Sequence, residues 1–405
     1  TAKMMEGHGE DIPVSQFPND GRWPTATSQW EKRNIAVQVS SWDAETCIQC
    51  GRCSLVCPHG CIRMKVATPE ALAAAGADAS FKTADAVGKE FKGMKFTMQV
   101  STSDCCGCTL CVTVCPARKK DAEGNKTEIR ALAMATNTEE VKQESLKNWK
   151  TFLALPEVDD SLINVGTIKG SQFKRPLFEF SGACAGCGET PYIKLVTQMI
   201  GDRMLASNAT GCSSIYSGNL PTTPYCKRED GRGPAWSNSL FEDNAEHGLG
   251  MRQAVDKLAS QAIELLGAAV AEGLVTKEAA DALINATQKE QGEIETQRAR
   301  VAELKAAIEG KKSAIAKRLY HVADYLVKKS VWIIGGDGWA YDIGYGGVDH
   351  VLASGKNVNI LVMDTEVYSN TGGQMSKSTP RAAVAQFAAG GKNAPKKNMG
   401  LIFST

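Results

Sequence analysis

Apolar residues recur every seven positions at Ile294, Val301, Ile308, Ile315 and Val322, with charged residues between them. That spacing returns to one helix face and predicts an antiparallel helical arm or a short coiled-coil seam within a mainly helical stretch, residues 245–328. Its expected role is scaffolding. Two short apolar runs follow, residues 331–334 and 358–363, each ending in a polar or glycine-rich turn. Such runs predict buried parallel strands of an α/β sheet, with helix between and after them. Ligands of these sheets bind beyond the carboxyl ends of the strands, where GGDGWAYD and DTEVYSNTGGQ fall.

The first half is patterned differently. Residues 1–40 are rich in Pro, Gly and Trp with little periodicity, and predict an extended segment laid on another surface. Between two cysteine runs, alternation over Lys95–Val100 predicts a strand, and an alanine-rich stretch near 69–79 a helix. Residues 117–175 are charged and irregular, a linker with some helix around 138–150. A chain of 405 residues has room for two or three domains. The expected divisions are an extended linker at 1–40, a cysteine-rich domain at 41–165, and an α/β domain at 166–405 with its helical arm at about 250–328.

Composition narrows the function classes. Hydrophobic content of 43% is ordinary for a globular protein. A net charge of +1, with both signs interspersed, gives no electrostatic case for nucleic acid or an anionic membrane. No apolar stretch reaches the roughly 18 residues of a membrane span, and the opening TAKMMEGHGE lacks the apolar centre of a signal peptide. Fourteen cysteines in such a chain point to a reducing, cytoplasmic, metal-binding protein. The first residue is Thr1 and the apolar run GLIFST stops abruptly, so a piece of a longer polypeptide is expected.

One cysteine spacing, Cys-x2-Cys-x2-Cys-x3-Cys-Pro, occurs twice: Cys47, Cys50, Cys53, Cys57 with Pro58, and Cys105, Cys108, Cys111, Cys115 with Pro116. Four thiolates at this pitch suit the corners of an iron–sulfur cube, and in two-cluster ferredoxins the fourth cysteine of each run ligates the other cluster. The expected ligand sets are therefore Cys47, Cys50, Cys53 and Cys115 for one [4Fe–4S] cluster, and Cys105, Cys108, Cys111 and Cys57 for the second. Zinc is the competing reading, since Cys-x2-Cys pairs also build zinc ribbons, but zinc gains nothing from a third cysteine or a terminal proline.

A second chemical centre follows the apolar runs. Gly336-Asp337-Gly338 offers close backbone approach to a phosphate and a hard carboxylate oxygen for Mg²⁺. Alone the triplet is weak, because surface turns use it constantly. The next apolar run ends in Asp364-Thr365-Glu366-Val367-Tyr368-Ser369-Asn370, one strand–helix–strand unit away. Thiamine-diphosphate enzymes hold Mg²⁺ with such an aspartate, an Asn or Thr after the next strand, and a carbonyl two residues on. Asp337, Thr365 and the Val367 carbonyl fit that pattern.

With these motifs in place, the chain resembles the C-terminal part of the pyruvate:ferredoxin (flavodoxin) oxidoreductases. The resemblance lies in WEKRNIAVQV, CIQCGRC, SGACAGCGETPY, ATGCSSIYSGNLPTTPY, GRGPAWSNSLFEDNAEHG and DTEVYSNTGGQMSKSTP, which span nearly the whole length. It implies an α+β 2[4Fe–4S] ferredoxin-like domain preceding an α/β thiamine-diphosphate-binding domain with a parallel sheet. It implies a third [4Fe–4S] cluster on Cys184, Cys187 and Cys212, whose fourth ligand lies outside this chain; Cys226 reads as an ordinary buried thiol. Cys61 and Cys106 fall outside the cluster register, and His8, His59 and His247 read as structural.

By the same resemblance, Glu189, Cys212, Gly336, Asp337, Gly338, Trp339, Thr365, Glu366, Val367, Tyr368, Ser369 and Asn370 contact the coenzyme. Cys212 and Asn370 would serve catalysis, Asn370 facing the substrate. The implied reaction is oxidative decarboxylation of pyruvate with coenzyme A to acetyl-CoA and CO₂, with electrons passed to ferredoxin or flavodoxin. Coenzyme A contacts and the rest of the active site would belong to N-terminal domains not present here, and the enzyme is expected to be a homodimer. Rival readings are a relative acting on another 2-oxo acid, a ferredoxin-type electron-transfer module without catalysis, and a zinc-stabilised structural protein.

Overall fold

A computed structural model describes residues 1–219 and 221–404. The chain divides into two units, Thr1–Asp202 with Cys212–Pro234, and Arg203–Gly211 with Ala235–Thr405. The boundary drawn from sequence at residue 166 falls inside the first unit. Its physical reason is the helix Ile168–Phe173, which buries Phe173 in the core built around the cysteine runs.

In the first unit, strand β1 (Gln38–Trp42) pairs antiparallel with a distant strand, β7 (Leu132–Thr136). Strand β2 (Ile62–Ala67) pairs with β4 (Lys95–Val100), which also takes the short β3 (Ala84–Asp85). The alternation over residues 95–100 is thus a strand. The alanine-rich stretch forms a helix at Pro69–Ala74, capped by the Thr68 side chain. Both faces of β2 are buried, and its two cations are matched there: Arg63 pairs with Glu179, while Lys65 donates to the Leu155 carbonyl at 2.7 Å and pairs with Glu157. Trp42, Met64, Phe96, Met98, Phe152 and Phe173 fill the core between these elements.

The stretch read as an irregular linker is more ordered than its sequence suggests. Strands β5 (Arg118–Lys120) and β6 (Lys126–Arg130) form an exposed hairpin, β7 follows, and a helix runs over Glu139–Ala154 with Thr138 accepting from Val141 N–H at its start. The hairpin buries little, so its residues carry no apolar alternation to reveal it. The N-terminal stretch has only short helical turns, pinned by Ala26 N–H to the Tyr225 carbonyl (2.7 Å) and Asn34 N–H to the Ser103 carbonyl (3.1 Å).

The second unit is built on parallel strands β8 (Met204–Asn208), β9 (Ala235–Asn238), β10 (Ser330–Gly336) and β11 (Asn359–Met363). Their order across the sheet is β11-β10-β8-β9, so the chain reverses direction of winding between β8 and β10. The two apolar runs are β10 and β11, and Gly336 ends the strand next to that reversal, where open α/β sheets bind ligands. A short antiparallel pair, β12 (Val367–Tyr368) with β13 (Gln374–Met375), lies beyond β11.

The heptad residues do not form a single seam. Ile294, Val301 and Ile308 are buried on the helix Gln291–Ile308, and Ile315 and Val322 lie partly buried on the next helix, Ala314–Val322. Gly310, at φ 70°, and the Ser313 cap reverse the chain between them. The long helix Asn244–Ala271 joins this bundle to the sheet. Gly248 on that helix packs so closely on Ile333 that an added Cβ would overlap its side chain. Gly248→Ala is therefore expected to destabilise the protein by about 1–3 kcal/mol, seen as a lower thermal midpoint. Gly250→Ala, exposed in the same helix with open space around it, should raise the midpoint slightly through better helix propensity, worth about 0.5–1 kcal/mol.

Candidate metal and cofactor sites

Both cysteine runs adopt one backbone shape. Gln49 (φ 56°) and Gly51 (φ 75°) in the first run match Gly107 (φ 69°) and Thr109 (φ 67°) in the second, all in the left-handed region. Two of the four are not glycine, so the loop shape is held against its local preference. It aims Gln49 N–H at Cys47 Sγ (3.3 Å) and Gly107 N–H at Cys105 Sγ (3.4 Å). Each run then enters a short helix, Arg52–Val56 or Leu110–Thr113, and the two helices pack together.

Cys47, Cys50 and Cys53 line a cavity whose fourth cysteine, Cys115, comes from the second run. Trp42, Met64, Phe96, Met98 and Leu132 give it apolar walls. Cys57 of the first run lies in turn within electrostatic reach of Cys105, Cys108 and Cys111. Among the described residues, no three His, Cys, Asp or Glu side chains converge as a single-ion site requires; the first four thiols ring a space instead. Burial pushes the Cys47 and Cys53 thiols up, and Cys111 to about 11. Thiols in that state ionise when a metal replaces the proton.

Two cysteines outside the register stand closer to these sets than spacing suggests. Cys61 Sγ lies 3.4 Å from Cys57 Sγ and hydrogen-bonds to Cys105. Cys106 bonds to Cys108, holding that thiol down to about 6. Cys226 is buried, with its thiol toward the Pro176 carbonyl at 3.5 Å. Of the histidines, His59 Nδ1 lies 3.1 Å from the Ser181 carbonyl and His247 Nδ1 2.7 Å from Ser207 Oγ. His8 lies on the surface, 3.9 Å from Asp11.

The third cysteine set also belongs to the first unit. Cys187 N–H donates to the Cys184 carbonyl (3.1 Å), closing a turn in which Gly186 sits at φ 75°. Cys184 is exposed, and Gly186 N–H bonds to Cys108, so this turn adjoins the second cysteine run. Glu189 is buried at the start of the helix Thr190–Ile200. Cys212 opens the helix Cys212–Ser217, one turn before Tyr216 on the same face. Tyr216 reaches Glu189 by a hydrogen bond and lies near Cys187.

In the second unit, Asp337 leaves β10 and enters a π-helical turn, Gly338–Ile343. Asp337 is 1% exposed, and burial raises its carboxyl above the usual range despite hydrogen bonds from Ser376 and Thr365. Thr365 Oγ1 lies 3.1 Å from Asp337 Oδ1 and 3.0 Å from the Val367 carbonyl oxygen. Glu366, at φ 66°, provides the bend that brings both Thr365 and Val367 to one point. The Thr365 hydroxyl has one proton for these two acceptors, and a cation placed among the three oxygens would satisfy them all. Six-coordinate Mg²⁺ at about 2.1 Å sets neighbouring oxygens about 3.0 Å apart, and both distances from Thr365 Oγ1 fit that edge length.

The surrounding residues fall into supporting and exposed groups. Ser376 donates to Asp337 Oδ2 at 2.5 Å and was not singled out by sequence, although it lies in the DTEVYSNTGGQMSKSTP stretch. Asp364 takes bonds from Tyr341 (2.9 Å), Lys396 (2.8 Å) and Ser378. Burial alone would raise its carboxyl, but these bonds, Lys396 foremost, hold it below the usual range. Trp339 is fully buried, its indole packed where a Cβ on Gly335 or Gly344 would stand. Tyr368 lies against Gly338, while Glu366, Ser369 and Asn370 are exposed.

Comparison with known proteins first defines a class. A family model described as a 4Fe-4S dicluster domain matches residues 46–119, and one described as a domain of unknown function matches residues 1–36. The chain is also 55% identical over 411 residues to a pyruvate-flavodoxin oxidoreductase of Trichormus variabilis and 54% over 410 to one of Nostoc sp.. It is 52% identical over 413 residues to the pyruvate:ferredoxin oxidoreductase of Moorella thermoacetica. These matches cover 100%, 99% and 97% of this chain, and 33% of each relative. The chain belongs to the pyruvate-flavodoxin and pyruvate:ferredoxin oxidoreductase family, and spans about a third of the length of the curated relatives it matches. Among the described residues, no helix is long and apolar enough to cross a membrane.

Proposed function

We propose that this chain carries the thiamine-diphosphate–Mg²⁺ site and the iron–sulfur ligands of a cytoplasmic, homodimeric enzyme acting on pyruvate. The enzyme decarboxylates pyruvate oxidatively with coenzyme A and delivers the electrons to ferredoxin or flavodoxin. The observation that carries the reading is the Thr365 hydroxyl standing 3.1 Å from Asp337 Oδ1 and 3.0 Å from the Val367 carbonyl oxygen, beyond two parallel strands. Remaining domains of the enzyme supply the coenzyme A contacts and complete the active site.

When bound, thiamine diphosphate would supply a nucleophilic carbon and a cationic ring able to take up the electrons of decarboxylation, and the clusters would supply one-electron acceptors. The chain's own residues hold these groups. Asp337 gives Mg²⁺ its carboxylate, Thr365 a hydroxyl and Val367 a carbonyl. Ser376 fixes the outer oxygen of Asp337, and Gly336 leaves room for a phosphate. Asn370, on the exposed turn after β12, is a candidate to face the substrate. Cys47, Cys50, Cys53 and Cys115 hold one [4Fe–4S] cluster; Cys105, Cys108, Cys111 and Cys57 hold another. Cys184, Cys187 and Cys212 hold a third, with a ligand from elsewhere in the enzyme.

Titration of the complete enzyme with thiamine diphosphate tests the reading. Tight, Mg²⁺-dependent binding is expected; no binding with all clusters intact would favour a pure electron-transfer module. Ser376→Ala is expected to weaken Mg²⁺ about tenfold, the size usual for a group that orients a ligand, measured by the Mg²⁺ dependence of coenzyme binding.

A further inference from the structure

Lys194 is a cation buried beside cysteine ligands and, among the described residues, matched by no carboxylate. It sits on the helix Thr190–Ile200 and is 1% exposed. Its ammonium donates to the carbonyl of Ser54 and, at 3.3 Å, to that of Cys57, at the carboxyl end of the helix Arg52–Val56. Its stem packs beside Gly60, where an added Cβ would stand 3.6 Å from Lys194 Cδ. Neighbouring Arg63 and Lys65 have their own carboxylates, Glu179 and Glu157. Among the described residues Lys194 has none.

Two carbonyls and a short helix's negative end offset only part of the penalty for burying a charge. The cysteine run itself is what the ammonium faces, with the Cys57 carbonyl 3.3 Å away. The missing counter-charge is therefore on the cysteine side. An all-cysteine cluster carries net negative charge that grows by one unit on reduction.

We propose that Lys194 is the fixed counter-ion of the cluster held by Cys57, Cys105, Cys108 and Cys111, and that its charge raises that cluster's reduction potential. The inference rests on the ligand sets proposed above. The electron added on reduction is matched by a charge already in place, so no proton has to enter. This is the cluster beside the turn of Cys184 and Cys187, and the helix bearing Lys194 begins just after that turn. Lys194 would thus favour electron acceptance at the station adjoining the third cysteine set.

The test is an EPR-monitored redox titration of the complete enzyme with three variants. Lys194→Met keeps the stem, Lys194→Gln keeps an N–H donor for the carbonyls, and Lys194→Arg keeps the charge. Met and Gln are expected to move the potential of the Cys57 cluster to more negative values, with a smaller shift at the Cys47 cluster and iron content retained. Arg should titrate near wild type. Full iron with unchanged potential in Met and Gln overturns the proposal. If Met and Gln lose that cluster while Arg keeps it, the requirement for charge stands on loading alone. Loss in all three alike overturns it and makes Lys194 a packing residue. A wild-type enzyme without cluster signals would sink the ligand assignment instead.

Discussion

Asp337→Asn is expected to abolish Mg²⁺-dependent thiamine diphosphate binding while leaving the metal-free fold as stable as before, or more so. Asp337 is the one carboxylate in the oxygen trio with Thr365 and Val367. Losing it should weaken Mg²⁺ by about a hundredfold or more, at or beyond the upper end of what supporting residues cost. The stability arm has the opposite sign. Burial raises the folded carboxyl's pKa, so above the unfolded value the ionised group destabilises the metal-free protein, and a neutral amide of the same shape removes that penalty. Calorimetric titration with the coenzyme and a melt of the metal-free enzyme read the two arms separately. Unchanged affinity would remove Asp337 from the metal.

The second large effect concerns the crossing of the cysteine runs. Cys115→Ala is expected to empty the cluster of Cys47, Cys50 and Cys53, although Cys115 belongs to the other run, because it lines their cavity. Cys57→Ala should empty the cluster of Cys105, Cys108 and Cys111. Double substitutions make the outcome sharp. Cys115→Ala with Cys47→Ala should cost one cluster of four irons, and Cys115→Ala with Cys105→Ala should cost two. If each run closed on itself, the two results would be exchanged. Iron analysis and EPR spin counts on the purified enzyme decide between them.

How far the sequence foretold this arrangement depends on the distance over which each feature is written. Cysteine spacing is local, and so are the glycines and the aspartate around Asp337. Strands β10 and β11 were legible because their apolar runs are continuous, although only β10 is largely buried and β11, at the sheet edge, is mostly half-buried. The β5–β6 hairpin was not, because its exposed residues need no apolar pattern. The heptad pointed to a buried stripe, yet the turn at Gly310 splits it between two helices. Ser376 lies 39 positions from Asp337, and Lys194 lies 137 from Cys57. Pairings of that length leave no periodicity. Nor does spacing reveal that Cys61, outside the ligand register, lies against Cys57.

Crystals of the complete enzyme grown with Mn²⁺ in place of Mg²⁺ and with thiamine diphosphate provide the most direct measurement. An anomalous difference map should carry a manganese peak bonded to Asp337 Oδ1, Thr365 Oγ1 and the Val367 carbonyl, with the diphosphate completing its shell. A coenzyme-bound peak elsewhere, with those three oxygens left without metal, would contradict the account.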